Sequence, residues 1–238
     1  YIELLDKDTT ESSYGVTGTN TYFGSDMGMT GLSYVRFING STKLQNNLAY
    51  SISRSYTDLD SLDENRNPYP YYRNDFIDSK ITYSLNLKRR FSRKSSMSSG
   101  LSIDYIMVNF TDSVKRTENV PFITPENDFL VITDNKDEFL LYRVYSQWKY
   151  KFTDALTLFT GLHFQTASLN SDYAIEPRIS LQWEIAPKHS VNIGGGMHSK
   201  LQPHMVYFMN TELDNGEIIQ TNKDVGFSRS DQFVFAYN

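Results

Sequence analysis

The chain has 238 residues, no cysteine, a formal net charge of −5 and a mean hydropathy of −0.48, yet 14% of it is aromatic. Without cysteine it has no disulfide framework, thiolate metal site or cysteine nucleophile, and the redox compartment stays undetermined. Its longest basic run, Lys88-Arg89-Arg90, is too short for the electrostatic footprint of nucleic acid and reads as a solvated strand end.

No stretch approaches the roughly 18 to 20 apolar residues that a membrane helix needs. The opening YIELLDKDTTESS lacks the basic start and apolar stretch of a signal peptide. The chain is therefore expected to be either not exported or a mature or internal piece of something longer.

Alternation with period two recurs along almost the whole length, and helical periodicity is hard to find. The pattern predicts an all-β chain, an antiparallel up-and-down meander of about nine strands. The first two lie near 29–38 and 43–57, joined by a tight turn at Asn39-Gly40; in the second, Leu44, Leu48, Tyr50 and Ile52 alternate with Gln45, Asn47, Ala49, Ser51 and Ser53. A long polar connection over 58–73 follows. Its acidic stretch, Asp58, Asp60, Asp63 and Glu64, lacks the glycine and final glutamate of a calcium loop and reads as solvated.

Strands near 74–91 and 96–114 flank a turn at Ser92 to Ser95. In the first, Ile81, Tyr83, Leu85 and Leu87 stand opposite Thr82, Ser84, Asn86 and Lys88. After a second long connection, 115–137, come strands near 138–153 and 155–169 with a turn at Asp154. In the first of these Leu140, Tyr142, Val144, Trp148, Tyr150 and Phe152 oppose Arg143, Tyr145, Gln147, Lys149 and Lys151. A short connection, 169–172, precedes strands near 173–186 and 190–202, which turn at Lys188-His189. The last connection, 203–228, carries an Asp214-Asn215-Gly216 stretch that suggests a small hairpin, and the last strand lies near 229–238.

Most of these runs reach ten residues or more, about what a tilted strand needs to cross a bilayer, where globular strands average about 5 to 6. Tight turns alternate with long connections, and aromatic residues gather at strand ends, as Trp148, Tyr150 and Phe152 do beside Asp154. Two architectures fit. In a soluble sandwich or barrel the greasy face lines the core; in a membrane barrel it meets lipid and the polar face lines a wet lumen. The pattern favours the second. It predicts that Ile179, Leu181, Trp183 and Ile185 face lipid and that Glu176, Arg178, Gln182, Glu184, His198 and Lys200 face the lumen.

The run Glu176-Pro177-Arg178-Ile179-Ser180-Leu181, the Pro187-Lys188-His189-Ser190 turn, and then Gly194-Gly195-Gly196-Met197-His198-Ser199 with Leu201-Gln202-Pro203 resemble the barrel of Bacteroidetes-type TonB-dependent outer-membrane receptors. Asn222 to Arg229 and Phe233-Val234-Phe235-Ala236-Tyr237 resemble the loop and strand that come next in that family. The resemblance implies a partial transmembrane β-barrel over 1–238, an internal fragment without plug or C-terminal strands. It further implies an outer-membrane location, lipid around the wall, and nutrient uptake energised by the TonB system through a plug domain outside this chain.

Enzymatic motifs are missing: no nucleophile elbow, zinc-protease helix, phosphate loop or dinucleotide fingerprint. Gly194-Gly195-Gly196 sits inside a strand pattern, so a bulge or a close backbone approach is expected there, and Pro177 suggests a strand start or rim. His163, His189, His198 and His204 show no metal-ligand spacing, so neither metal nor cofactor is expected. Ligand contacts are expected from an NPYPYYRND loop holding Tyr69, Tyr71, Tyr72 and Arg73, and from His204, Tyr207 and Phe208 in the last connection. Exposed aromatics in a rigid proline frame can stack on a sugar ring or a small aromatic molecule. The function so read is uptake of a small-molecule or glycan ligand. A soluble all-β binding or adhesion module, or an outer-membrane enzyme, remain the alternatives.

Overall fold

The computed structural model describes residues 2–3, 19–62, 67–115, 129–213 and 215–238. The strands are β1 (Ile2–Glu3), β2 (Thr19–Asn39), β3 (Thr42–Leu62), β4 (Pro68–Arg90), β5 (Ser95–Lys115), β6 (Phe129–Lys151), β7 (Leu156–Ala167), β8 (Tyr173–Ala186), β9 (His189–Lys200), β10 (Thr211–Glu212), β11 (Ile218–Ile219) and β12 (Ser228–Tyr237). A single helical turn, α1, covers His204–Tyr207, and a 3₁₀ turn covers Thr221–Asp224. All strands except β10 and β11 form one open sheet in the order β1 to β9 and then β12, each antiparallel to its neighbour. This is the predicted meander.

The tight turns carry their own side-chain ties, which is why the sequence breaks where it does. Asn39 Oδ1 accepts from Ser41 N at 3.0 Å, Ser92 Oγ from Lys94 N and Ser95 N at 3.1 Å, and Thr153 Oγ1 from Leu156 N at 3.0 Å. Lys188 takes the left-handed backbone at φ 68° in the β8–β9 turn.

Two of the expected connections shrink, and the first expected strand lengthens. β3 runs on to Leu62 and β4 starts at Pro68, so most of 58–73 is strand; β6 starts at Phe129, inside 115–137, and β2 starts ten residues before the expected position. In these extensions both faces are wet, so the ladder continues while the hydropathy alternation that would announce it disappears. Asp63 and Glu64 of the acidic stretch lie outside the described residues. Pro177 sits in mid-strand, one residue past the last β8–β9 pair, Arg178 with Gly196. The three glycines pair regularly with β8 and β12, and the shift in the β8–β9 ladder falls at Glu184 and Ala186 instead.

Register sorts the side chains onto two faces. Ile175, Ile179, Leu181, Trp183 and Ile185 share one with Leu158, Leu162, Tyr142, Val144, Ile81, Tyr83, Leu48 and Ile52, and all but Leu158 are exposed, Ile179 at 59% and Trp183 at 50%. A soluble sandwich would cover this face; here nothing among the described residues does. Moving away from the tight turns, the apolar band ends at charged groups: the Arg54–Asp75 pair on β3 and β4, and Tyr105 donating to Glu138 on β5 and β6. The band is on the order of ten residues tall, as a bilayer crossing requires.

The opposite face is polar and concave. One cavity of about 840 Å³ at the tight-turn end is lined by Phe37 of β2, Lys88 of β4, Lys149 of β6, Arg178 of β8 and Gln232 of β12, so the sheet curls until its first and last long strands share a space.

Candidate transport face

At the end of the polar face away from the tight turns, the segment between β9 and β12 folds back over the wall. Tyr207 and Phe208 are completely enclosed, at 0% and 1% exposure, against Ile106, Val108, Phe110, Phe139 and Leu141, with Leu201 and Phe227 completing the cluster. The chain's dry core therefore lies on the polar face, between wall and folded-in segment. Polar ties frame it: His204 Nδ1 stands 2.6 Å from Asp78 Oδ2, Asn135 Nδ2 donates to the Phe208 carbonyl and to Asn210 Oδ1 at 3.2 Å, and Lys223 reaches Asp137 at 3.6 Å. His204 also meets the Phe139 ring edge-on at 5.2 Å between centroids. The far end of the segment is anchored by Asp172, which accepts from Phe227 N at 2.8 Å and pairs with Arg229 at 2.9 Å.

This placement differs from the exposed surface expected of His204, Tyr207 and Phe208. Two of the three are inside. Burial pushes the Tyr207 phenol above its ordinary range, opposed by the Gln202 N–H that donates to it at 3.0 Å. The expected hairpin is present as β10 and β11, with Gly216 at φ 81°; Asp214 itself lies outside the described residues.

Tyr69, Tyr71, Tyr72 and Arg73 are likewise strand residues of β4, not a loop. Pro70 has no N–H to give, and the β3–β4 register shifts there: Leu59 pairs with Tyr72 and Asp60 with Pro70, leaving Tyr71 as the extra residue of a bulge. Arg73 is committed to bracing this pair, 2.9 Å from Asp60 and 3.4 Å from Asp58, with a bond to the Leu59 carbonyl at 3.2 Å. Lys115 Nζ sits over the Tyr69 ring at 4.8 Å.

Glu176, Arg178, Gln182, Glu184, His198 and Lys200 fall on the polar face by register, spread along β8 and β9. Glu176, 2% exposed, is the hub of a polar knot. β9 leaves β8 after Gly196, which frees the Ser199 amide from the ladder, and the carboxylate takes it at 3.1 Å. The same carboxylate accepts from Gln165 Nε2 at 2.7 Å, from Ser199 Oγ and from Arg178 at 2.6 Å. His163 Nδ1 lies 3.1 Å away without hydrogen-bond alignment. Arg178 can lie flat along the wall because its cross-strand neighbours are Gly161 and Gly196; a Cβ on Gly196 would come within 2.9 Å of its Cγ. Gly100 of β5 leaves a similar gap, across which Tyr145 donates to Asn86 at 2.8 Å.

No protein-family model matches the chain, and no curated protein matches it. Solved structures match its fold. The copper transporter OprC superposes with a TM-score of 0.64 at 13% identity over 92% of this chain, and the closed form of the ferric-catecholate import receptor Fiu from E. coli K12 with 0.58 at 11% over 92%. The siderophore receptor PirA from Acinetobacter baumannii follows at 0.57, 14% and 93%, and the RagAB peptide transporter at 0.57, 12% and 90%. These neighbours are TonB-dependent receptors. The fold is that of their barrel wall.

At such identities the likeness is one of fold, and the chain spans 28% to 37% of the length of those structures. The shared fold is that of a barrel wall, in which the two faces of a sheet meet different surroundings. In this chain the exposed apolar band lies on one of these faces and the concave polar cavity on the other.

Proposed function

We propose that the chain is a wall segment of an outer-membrane receptor that imports a nutrient by TonB-dependent transport, the cargo being a small molecule or glycan. Its location is the outer membrane, its apolar band is solvated by lipid, and its coupling to TonB runs through a plug domain outside the chain. Such import needs no covalent chemistry, only differential binding between conformations. The observation that carries this reading is the exposed apolar face of a curled meander. Leaving the exposed halves of residues such as Ile179, Trp183 and Val144 in water would forgo about 1 kcal/mol each, which a bilayer recovers. The neighbours, named for copper, ferric catecholates, siderophores and peptides, support transport in general and no one cargo.

Tyr69, Tyr71 and the Arg73 brace stand at the outer end of β4, where an arriving ligand would meet the wall; His204 and Tyr207 act through the folded-in segment. Cells producing the full-length protein should place it in the outer membrane in a heat-modifiable form, and should take up a labelled siderophore, peptide or oligosaccharide only while the proton-motive force is intact. A protein that stays soluble as a compact monomer, or uptake indifferent to that force, would overturn the reading.

A further inference from the structure

We infer that the apolar face carries, at its tight-turn border, a seat for the headgroup of an anionic phospholipid, built by Arg36 and Arg89. The inference rests on reading the chain as a barrel wall. Register puts both arginines on the apolar face: Arg36 of β2 opposes Leu44 of β3, Leu44 opposes Leu87 of β4, and Arg89 stands two residues further toward the turn. Two strand spacings and two residues separate them, about 12 Å between Cα atoms. Two arginine side chains at that distance can converge on one phosphate or on two neighbouring ones. Lys88 and Arg90 alternate to the polar face, so the short basic run is split between two surroundings.

Arg89 is held ready for an anion. Its guanidinium carbon lies 4.9 Å from the centroid of the Phe91 ring, Phe91 leans on Trp148 at 6.0 Å, and Trp148 Nε1 donates to Ser95 Oγ at 2.8 Å. Stacking of this kind orients the planar fork and leaves its N–H donors free. Among the described residues, neither guanidinium has a carboxylate partner or a hydrogen-bond acceptor. The turn that follows β4 adds Arg93 and Lys94, both exposed. No countercharge is at hand: residues 27–57 and 79–103, which make this end of β2 to β5, hold no aspartate or glutamate, in a chain of net charge −5. The carboxylates that β2, β3 and β4 place on the apolar side, Asp26, Asp58 and Asp75, lie toward the opposite end.

Three sources of anion compete for the seat, and its surroundings separate them. A free phosphate uses the guanidinium groups alone. A soluble acidic protein meets them too, but not the apolar band that continues from them, where Leu85, Leu87, Met97 and Leu101 share their face. Only an amphiphile covers both, with its phosphate on the arginines and its acyl chains along these residues. Phe91 and Trp148, both exposed, then lie at the interfacial level where aromatic girdles of membrane barrels sit. The missing carboxylates decide the headgroup. The ammonium of a zwitterionic headgroup finds no opposite charge here, whereas a glycerol headgroup needs none. An arginine at this border costs little in a bilayer, and a phosphodiester paired with it gains charge-assisted bonds.

The full-length protein, purified in mild detergent, is titrated by native mass spectrometry with phosphatidylglycerol and, separately, with phosphatidylcholine. Phosphatidylglycerol should bind about tenfold more tightly, and the double variant Arg36→Gln, Arg89→Gln should lose that preference, as removal of two charge-assisted contacts requires. The double variant Lys43→Gln, Lys88→Gln, which takes the same charge from the polar face, should keep it. A second reading needs no variant: phenylglyoxal should modify Arg36 and Arg89 about tenfold more slowly in phosphatidylglycerol vesicles than in phosphatidylcholine ones. Equal binding of the two lipids would overturn the inference. So would a preference that survives loss of the arginines or is lost equally with the lysines, and so would displacement of phosphatidylglycerol by inorganic phosphate. If the protein does not float with outer membranes, the barrel-wall reading has failed and this inference falls with it. If it floats and binds both lipids alike, this inference alone has failed.

Discussion

Glu176 is a charge placed where its neighbours would otherwise have no partner. Removing the carboxylate strands the Ser199 amide and the Arg178 guanidinium, while the Gln165 amide keeps the Ser199 carbonyl and hydroxyl; a buried orphan costs about 1 to 3 kcal/mol. Arg178 is partly wet, so its share is discounted. Glu176→Leu in the full-length protein should therefore destabilise by about 2 to 4 kcal/mol, and Glu176→Gln, which keeps the shape and one acceptor, by about 1; urea unfolding in detergent measures both. Equal stability of all three would mean that water replaces the knot. Gly100 makes a second residue-scale prediction. Its missing Cβ would stand 2.7 Å from both the Leu85 carbonyl and the Tyr145 ring, so Gly100→Ala must shift backbone or ring, whereas Tyr145→Phe loses only the bond to Asn86, about 1 kcal/mol. The glycine variant should be the less stable of the two in the same unfolding measurement.

At the scale of elements, the folded-in segment is held chiefly by two aromatic rings. Tyr207→Ala should remove about 3 kcal/mol of docking, on the order of a hundredfold in the undocked fraction. Limited trypsin digestion reads this directly: cleavage at Lys223 should quicken accordingly while sites within β3 to β6 stay protected, and Tyr207→Phe, which loses only the Gln202 bond, should stay near wild type. An unchanged rate in the alanine variant would mean that the ties at His204, Asn135 and Lys223 suffice alone.

The same elements show why some of the fold was legible and some was not. Where one face meets an apolar phase and the other water, alternation is strict, and the strands around Leu181, Val144 and Leu85 are readable, as are turns with local side-chain ties at Asn39, Ser92 and Thr153. Beyond the band both faces are wet, so the outer ends of β2, β3, β4 and β6 read as loops, the Tyr69 to Arg73 stretch among them. The dry seat left a different trace. Tyr105-Ile106-Met107-Val108 and Phe139-Leu140-Leu141-Tyr142 are apolar on both faces, which a strand needs only if something covers its inner side too. That run was the sequence signal for the folded-in segment. Nothing in the spacing of Tyr207 and Phe208 distinguishes an enclosed aromatic from an exposed one.

At the scale of the whole molecule, the chain is organised across the sheet, with an apolar face on one side and a polar one on the other. The cysteine-free background makes this division easy to probe. A maleimide that cannot cross membranes should label Thr111→Cys, beyond the apolar band on β5, in intact cells, and spare Leu101→Cys, within it; equal labelling would displace the bilayer from where the exposed residues put it. The sharpest comparison sets two adjacent residues of β8 against each other. In the full-length protein, Leu181→Arg places a charge on the apolar face, at a cost of about 2 to 4 kcal/mol near the middle of a bilayer, while Gln182→Arg places it on the polar face. Outer-membrane assembly, scored by the heat-modifiable fraction, should fall by more than about tenfold for Leu181→Arg and change little for Gln182→Arg. Equal assembly of the two variants, or the reverse order, would contradict the assignment of faces on which the proposed transport role rests.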